Sequence, residues 1–258
     1  MQPTTTGENR TGAATAEEGV RAMLDANERW APPGPIDTTL AEADRGVYII
    51  ESDALGSVPP PVTIQGMLKS GLNKLMGERP EMLMDKIGER IAFERTGTRL
   101  YDALILKYEI LAESDNAPAL PNPLDGAEED VGATLQRIRT EEQAHFLMLS
   151  EVMRSLGGDP TAQTPCADAT ATASMGIMQV VTDPRTTLAQ SLNAMLIAEL
   201  ADNAGWELLI ALAQEAGQTD MVEMFENAMA EEQEHLATIK GWLTALVTAG
   251  STATTVAA

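Results

Sequence analysis

The sequence is poor in the residues that most often carry recognisable chemistry. Of its 258 residues one is a cysteine, Cys166, two are histidines, and Trp, Tyr and Phe occur three times each. A single cysteine excludes internal disulfides and any Cys-x-x-Cys metal module, and Cys166 reads as a small residue in a connection. Positive charge is scarce as well: 17 Lys and Arg stand against 39 Asp and Glu, a formal net charge of −22. Phosphate binding needs Lys/Arg clusters, so nucleic acid is excluded as a partner. No apolar run approaches the roughly 18 residues of a membrane span. The polar start MQPTTTGENRTG lacks the apolar stretch of a signal peptide. The expectation is a soluble, cytoplasmic protein with no membrane partner.

What is present is helical material, with 44% hydrophobic residues and 14 methionines. The two histidines do not fall at random. Each closes a copy of one motif, EEQAH at Glu141–His145 and EEQEH at Glu231–His235. Residues i and i+3 share a helix face, so Glu142 with His145, and Glu232 with His235, point a carboxylate and an imidazole the same way. The flanking Glu141, Glu231 and Glu234 read as solvated helix charges. The motif glutamates and histidines are different. Around the first copy the stripe runs Leu135, Ile138, Glu142, His145, Leu149, Val152, Leu156; around the second, Met221, Phe225, Ala228, Glu232, His235, Ile239, Trp242, Leu246. Steps of three and four are those of the buried face of a bundle helix. A bare carboxylate there costs several kcal/mol unless it is paired or metal-bound.

In chain order, residues 1 to about 15 read as disordered, and Glu17–Trp30 as a short helix stopped by Ala31–Pro35. A short extended piece is expected around Gly46–Glu51, and a helical stripe from Ile64 to Met76. These residues, 1–79, form an N-terminal extension assigned to packing. The first long helix is expected from Pro80 to Glu113, with Glu94 and Tyr101 on its apolar seam. The second runs from about Ala127 to Leu156 and stops at Gly157-Gly158-Asp159-Pro160. A connection over Gly157–Asp183, with a short helix near Ala173–Val180, crosses the bundle. Asp183-Pro184 is expected to cap the third helix, which carries Glu199, Asp202 and Trp206 and reaches Ala216. The fourth helix follows Gly217-Gln218 and ends near Thr248, leaving 249–258 as a disordered tail.

The two halves repeat one plan. A helix with an inward glutamate (Glu94, then Glu199) and an aromatic seven residues on (Tyr101, then Trp206) precedes a helix with an inward Glu-x-x-His. The glutamate separations differ, 142 − 94 = 48 against 232 − 199 = 33, because the first hairpin has the longer loop. This reads as an internal duplication of a helical hairpin.

On these residues the sequence resembles the ferritin-like di-iron carboxylate superfamily, and within it the rubrerythrin-like branch. That superfamily takes one Glu from each of two helices and Glu-x-x-His from each of the other two. The resemblance covers about residues 80–248. It implies an all-α, ferritin-like four-helix bundle with a long crossover between helices 2 and 3. It also implies that Glu94, Glu142, His145, Glu199, Glu232 and His235 are both the metal ligands and the catalytic residues. In the family pattern Glu94 and Glu199 are terminal ligands and Glu142 and Glu232 bridge. The implied cofactor is two Fe per chain, with Mn the alternative. The implied activity is Fe(II) oxidation, or reduction of O2 or peroxide, in a homo-oligomer, with a dimer the first guess. No rubredoxin-type cysteines are present, so electrons come from an external donor or from Fe(II) itself. The tail is too short for the fifth helix of cage-forming ferritins. Asp202 is a candidate hydrogen-bond partner for an imidazole. Tyr101 is a core residue or a donor to a ligand. Two other readings stay open: manganese catalase-like peroxide disproportionation, and a metal-free structural or assembly bundle.

Overall fold

The computed structural model describes residues 16–31, 34, 37–53, 55–56, 80–114, 117–121 and 130–253. Among them are seven helices and no strands: α1 (Glu17–Trp30), α2 (Thr39–Glu51), α3 (Pro80–Glu113), α4 (Val131–Ser155), α5 (Pro165–Thr182), α6 (Leu188–Glu215) and α7 (Thr219–Ala253). None of these helices is long and apolar enough to cross a membrane. By its contacts the chain divides into Met1–Ala54 and Leu55–Ala258.

In the first unit, neither α1 nor α2 has a buried residue. The extended piece expected around Gly46–Glu51 is instead the second half of α2. The run Val47-Tyr48-Ile49-Ile50 favours a strand by propensity. It has no strand to pair with among the described residues, and the helix entering from Thr39 continues through it. The stripe Ile64–Met76 lies outside the described residues.

In the second unit α3 packs along α4, α6 along α7, and the two hairpins meet through α3 with α6 and α4 with α7. The crossover helix α5 lies on α3 and α6. It is longer than the expected short helix, because Thr164 accepts from the Ala167 amide and Pro165 opens its first turn. Buried Asp85 of α3 fixes that end by accepting from the Cys166 amide at 3.0 Å. Asp183 closes α5 rather than capping α6. The α6 cap is Thr187, in a reciprocal box with Gln190. At the end of α4 Gly157 takes a positive φ of 83°, and the Gly158 amide turns back to Met153. The last helix runs through Ala253, five residues into the expected tail. Gly250 costs a helix only about 1 kcal/mol and no proline follows to stop it.

The core has two apolar clusters. One includes Ile87, Ile91, Leu149, Trp206 and Phe225. The other includes Tyr101, Leu104, Ile138, Leu192, Ile239 and Trp242. The polar side chains of the four seams lie between them in sequence, on the same buried faces.

Candidate metal centre

All six predicted residues are buried: Glu94, Glu199 and four from the motifs, Glu142, His145, Glu232 and His235, none more than 4% exposed. They form two groups with ligand atoms close enough to hold an ion. One is Glu142, Glu199, Glu232 and His235; the other is Glu94, His145 and Glu232. Glu232 belongs to both. Its Oε1 lies 2.7 Å from His145 Nδ1 and its Oε2 3.1 Å from His235 Nδ1. Glu94 Oε2 and Glu142 Oε1 stand 3.7 Å from the Nδ1 atoms of His145 and His235 respectively.

The outer ring nitrogens correct one expectation. His145 Nε2 lies 2.8 Å from Glu231, and His235 Nε2 lies 2.8 Å from Glu141, each on the facing motif helix. These glutamates are therefore imidazole partners and not merely solvated charges. An Nε2–H donated outward leaves Nδ1 to face the centre, which fixes the tautomer a metal needs. The signal was in the sequence, since both motif copies repeat the leading glutamate as well as the Glu-x-x-His.

The aromatics cross the centre in the same reciprocal way. Tyr101 of α3 stands edge-on to His235 of α7 at 6.4 Å, and Trp206 of α6 edge-on to His145 of α4 at 5.6 Å. Tyr101 donates its hydroxyl to Glu199 Oε1 at 2.5 Å, so it is a donor to a candidate ligand. Asn203 ties the helices behind, donating to the main-chain oxygens of Glu199 and Glu232.

Asp202 does not reach an imidazole. It is buried against Arg90, which also donates to Glu94 Oε1 at 2.5 Å. Arg90 escaped the sequence reading because a single arginine one turn before Glu94 reads as a surface charge. Gly97 was missed as well. A methyl group there would fall onto Glu142 Oε2, so the absent side chain is what lets that carboxylate lie against α3.

The electrostatics follow from burying so much charge. Desolvation, then the neighbouring Glu232 charge, pushes Glu199 up to about 8 and Glu142 well above the carboxylate range. For Glu232 desolvation is overcome by its two imidazole partners, and it falls to about 2. Burial opposes charge on His145, but Glu232 and Glu94 outweigh it and raise it to about 10; His235 is also raised well above its ordinary value. Both shifts favour rings that carry a proton on each nitrogen. Such rings occupy with positive charge the places where cations fit.

The donor set fits metal by a second observation. Oε2 of Glu94 and Oε2 of Glu199 are buried and accept no hydrogen bond from any described residue. A buried carboxylate oxygen left bare costs free energy unless a cation or proton meets it. The chain thus holds a buried carboxylate and imidazole cluster compatible with a metal site.

No curated protein and no solved structure matches the chain. Residues 129–248 match the family model described as Ferritin-like domain. That stretch contains five of the six site residues and not Glu94. The matched stretch is less than half of the chain, and its similarity to a ferritin-like domain agrees with the all-helical bundle.

Proposed function

We propose that the protein binds a dinuclear metal centre, iron before manganese, and works as a redox protein that oxidises Fe(II) or reduces O2 or peroxide there. The observation that carries this reading is Glu232, whose two oxygens face two different imidazoles and join two ligand groups through one carboxylate. Glu94, Glu142, His145, Glu199, Glu232 and His235 would hold the ions. Four carboxylates bring −4, two divalent ions bring +4, and imidazoles made neutral by loss of their Nδ1 protons complete the shells. Mixed oxygen and imidazole donors suit Fe and Mn. Bound iron supplies Lewis acidity and one-electron redox steps.

The side chains supply the rest. Glu141 and Glu231 hold the rings by their outer nitrogens, and Tyr101 holds Glu199 by one oxygen, leaving the other for a cation. The apolar clusters on either side keep bulk water from the carboxylates. Metal ions, O2 or peroxide, and an external electron donor are the proposed partners, in a cytoplasmic homo-oligomer.

The test is metal analysis by mass spectrometry of wild type and of Glu142→Ala/His235→Ala, followed by O2 and peroxide consumption. About two Fe per chain, reduced in the variant, supports the reading. Two Mn with peroxide turnover moves it to the catalase-like alternative. No metal after anaerobic Fe(II) loading rejects it in favour of a metal-free scaffold.

A further inference from the structure

The two ligand groups differ in a way the duplication does not explain. Four residues before the inward glutamate stands Arg90 in α3 and Met195 in α6; three residues after it stands Gly97 in α3 and Asp202 in α6. Among the described residues, the Glu94 side alone therefore receives a buried arginine–carboxylate pair. The Arg90 guanidinium is seated between the rings of Phe93 at 4.5 Å and Trp206 at 5.5 Å. Gly205 makes room for it, since a methyl group there would collide with the guanidinium. Arg90 shares its charge between Glu94, whose Oε1 it occupies, and Asp202, neither of whose oxygens accepts a hydrogen bond from any other described group.

We infer that Arg90, tempered by Asp202, makes the Glu94/His145 position the weaker and more exchangeable of two cation positions, both acting as positioning residues. The inference rests on the dinuclear reading. Its physical basis is a count of charge. The Glu142/Glu199/His235 group offers three carboxylates counting Glu232, and the other offers two, one already engaged by a cation. A fixed positive charge beside one ligand repels an incoming divalent ion, and low local dielectric magnifies the effect. Asp202 limits this by drawing part of the Arg90 charge away from Glu94.

Opposite signs follow for two variants. Asp202→Asn leaves the whole Arg90 charge on Glu94 and weakens the second ion. Arg90→Met/Asp202→Asn removes both charges of the pair together, leaves Glu94 facing His145, and strengthens it. The experiment is anaerobic titration of metal-free full-length protein with Mn(II), free ion being read by electron paramagnetic resonance. Thermal unfolding of each metal-free variant controls for folding. Wild type is expected to take up two ions in steps separated by about tenfold or more in affinity; each tenfold is about 1.4 kcal/mol. In Asp202→Asn the second step weakens by about a further tenfold while the first moves less than about threefold. In the double variant the steps converge. A second step unchanged in Asp202→Asn, or both steps weakened alike, overturns the inference, and Asp202→Asn decides this even where the double variant does not fold. Two equal steps in wild type overturn it alone. Wild type that binds no Mn(II) overturns it together with the dinuclear reading.

Discussion

The halves of the centre share a plan and differ in what surrounds it. Around His235 lie Glu142, Glu199, the Tyr101 hydroxyl and the bare backbone at Gly97; around His145 lie Glu94, Trp206 and the Arg90–Asp202 pair. What the halves keep in common is the motif and its reciprocity: each imidazole is held outside by the glutamate of the facing helix and inside by Glu232. What they vary is the charge and polarity of the α3 and α6 seams. On the proposed dinuclear reading, a duplicated hairpin fixes where two cations would bind, while unduplicated neighbours would set how differently they bind.

The comparison is abolished most completely at the residue common to both sides. Glu232→Gln is expected to lose both ions, since each imidazole loses its inner partner. It leaves two buried imidazoliums with fewer counter-charges, so the metal-free variant should lose roughly 3–5 kcal/mol, the usual result of breaking a buried ion pair. Metal analysis and denaturant unfolding measure the two effects. Metal content at wild-type level would remove Glu232 from its shared role.

Gly97→Ala breaks the comparison on one side only. The added methyl displaces the far end of Glu142 and leaves the α3 backbone alone, so helicity and melting should change little. Binding is expected to fall from two ions to about one per chain, with the Glu94/His145 position retained. A variant that unfolds, or that keeps both ions, contradicts this account of Gly97.

The pH dependence separates metal-free from loaded protein. His145, raised from 6.5 to about 10, and Glu199, raised from 4.5 to about 8, both hold protons in the folded state that the unfolded chain has released. Groups with raised values stabilise below their unfolded values and lose that contribution as pH rises, so metal-free melting temperature should fall from pH 5 to pH 8. Glu232, lowered to about 2, contributes throughout this window and loses its contribution only in strong acid. Metal must displace the two Nδ1 protons and those that the raised Glu142 and Glu199 hold, so the product of the two affinities should rise steeply with pH in the same range, by up to about ten-thousandfold per unit. Calorimetric unfolding and metal titration at several pH values check both slopes. A metal-free melting temperature that rises toward pH 8 would mean that the rings are neutral.

Much of this was legible in the sequence because burial in a bundle follows a period. The seams of α4 and α7 came out residue for residue, with only Leu156 and Leu246 partly exposed, and the six inward polar residues with them. The bounds of α3 were legible for the same reason and because Pro80 opens it. Contacts between helices were not, because no periodicity encodes them. Arg90 meeting Asp202, Glu141 meeting His235 and Gly97 meeting Glu142 each join residues that only the folded bundle brings together. Local competition misled the boundaries: Thr187 and Gln190 out-competed Asp183-Pro184 as a cap, and α2 took a β-branched run into a helix.

The finest contrast is between the outer glutamates. Glu141 is 22% exposed and also receives Arg137, whereas Glu231 is 50% exposed. Partial burial pushes Glu141 up, but its contacts with His235 and then Arg137 outweigh that and hold it below the ordinary carboxylate range. A carboxylate held in place orients the ring it accepts from, while one open to water exchanges its imidazole for solvent at little cost. Glu141→Gln should therefore weaken metal binding by about 10- to 100-fold, within the range for such partners. Glu231→Gln should cost less than about tenfold, being discounted by solvent. The loss in Glu141→Gln should fall on the His235 position and the smaller one on the His145 position, which a two-step Mn(II) titration resolves. Equal losses at both positions would mean that the rings are oriented by packing against Tyr101 and Trp206 rather than by these hydrogen bonds.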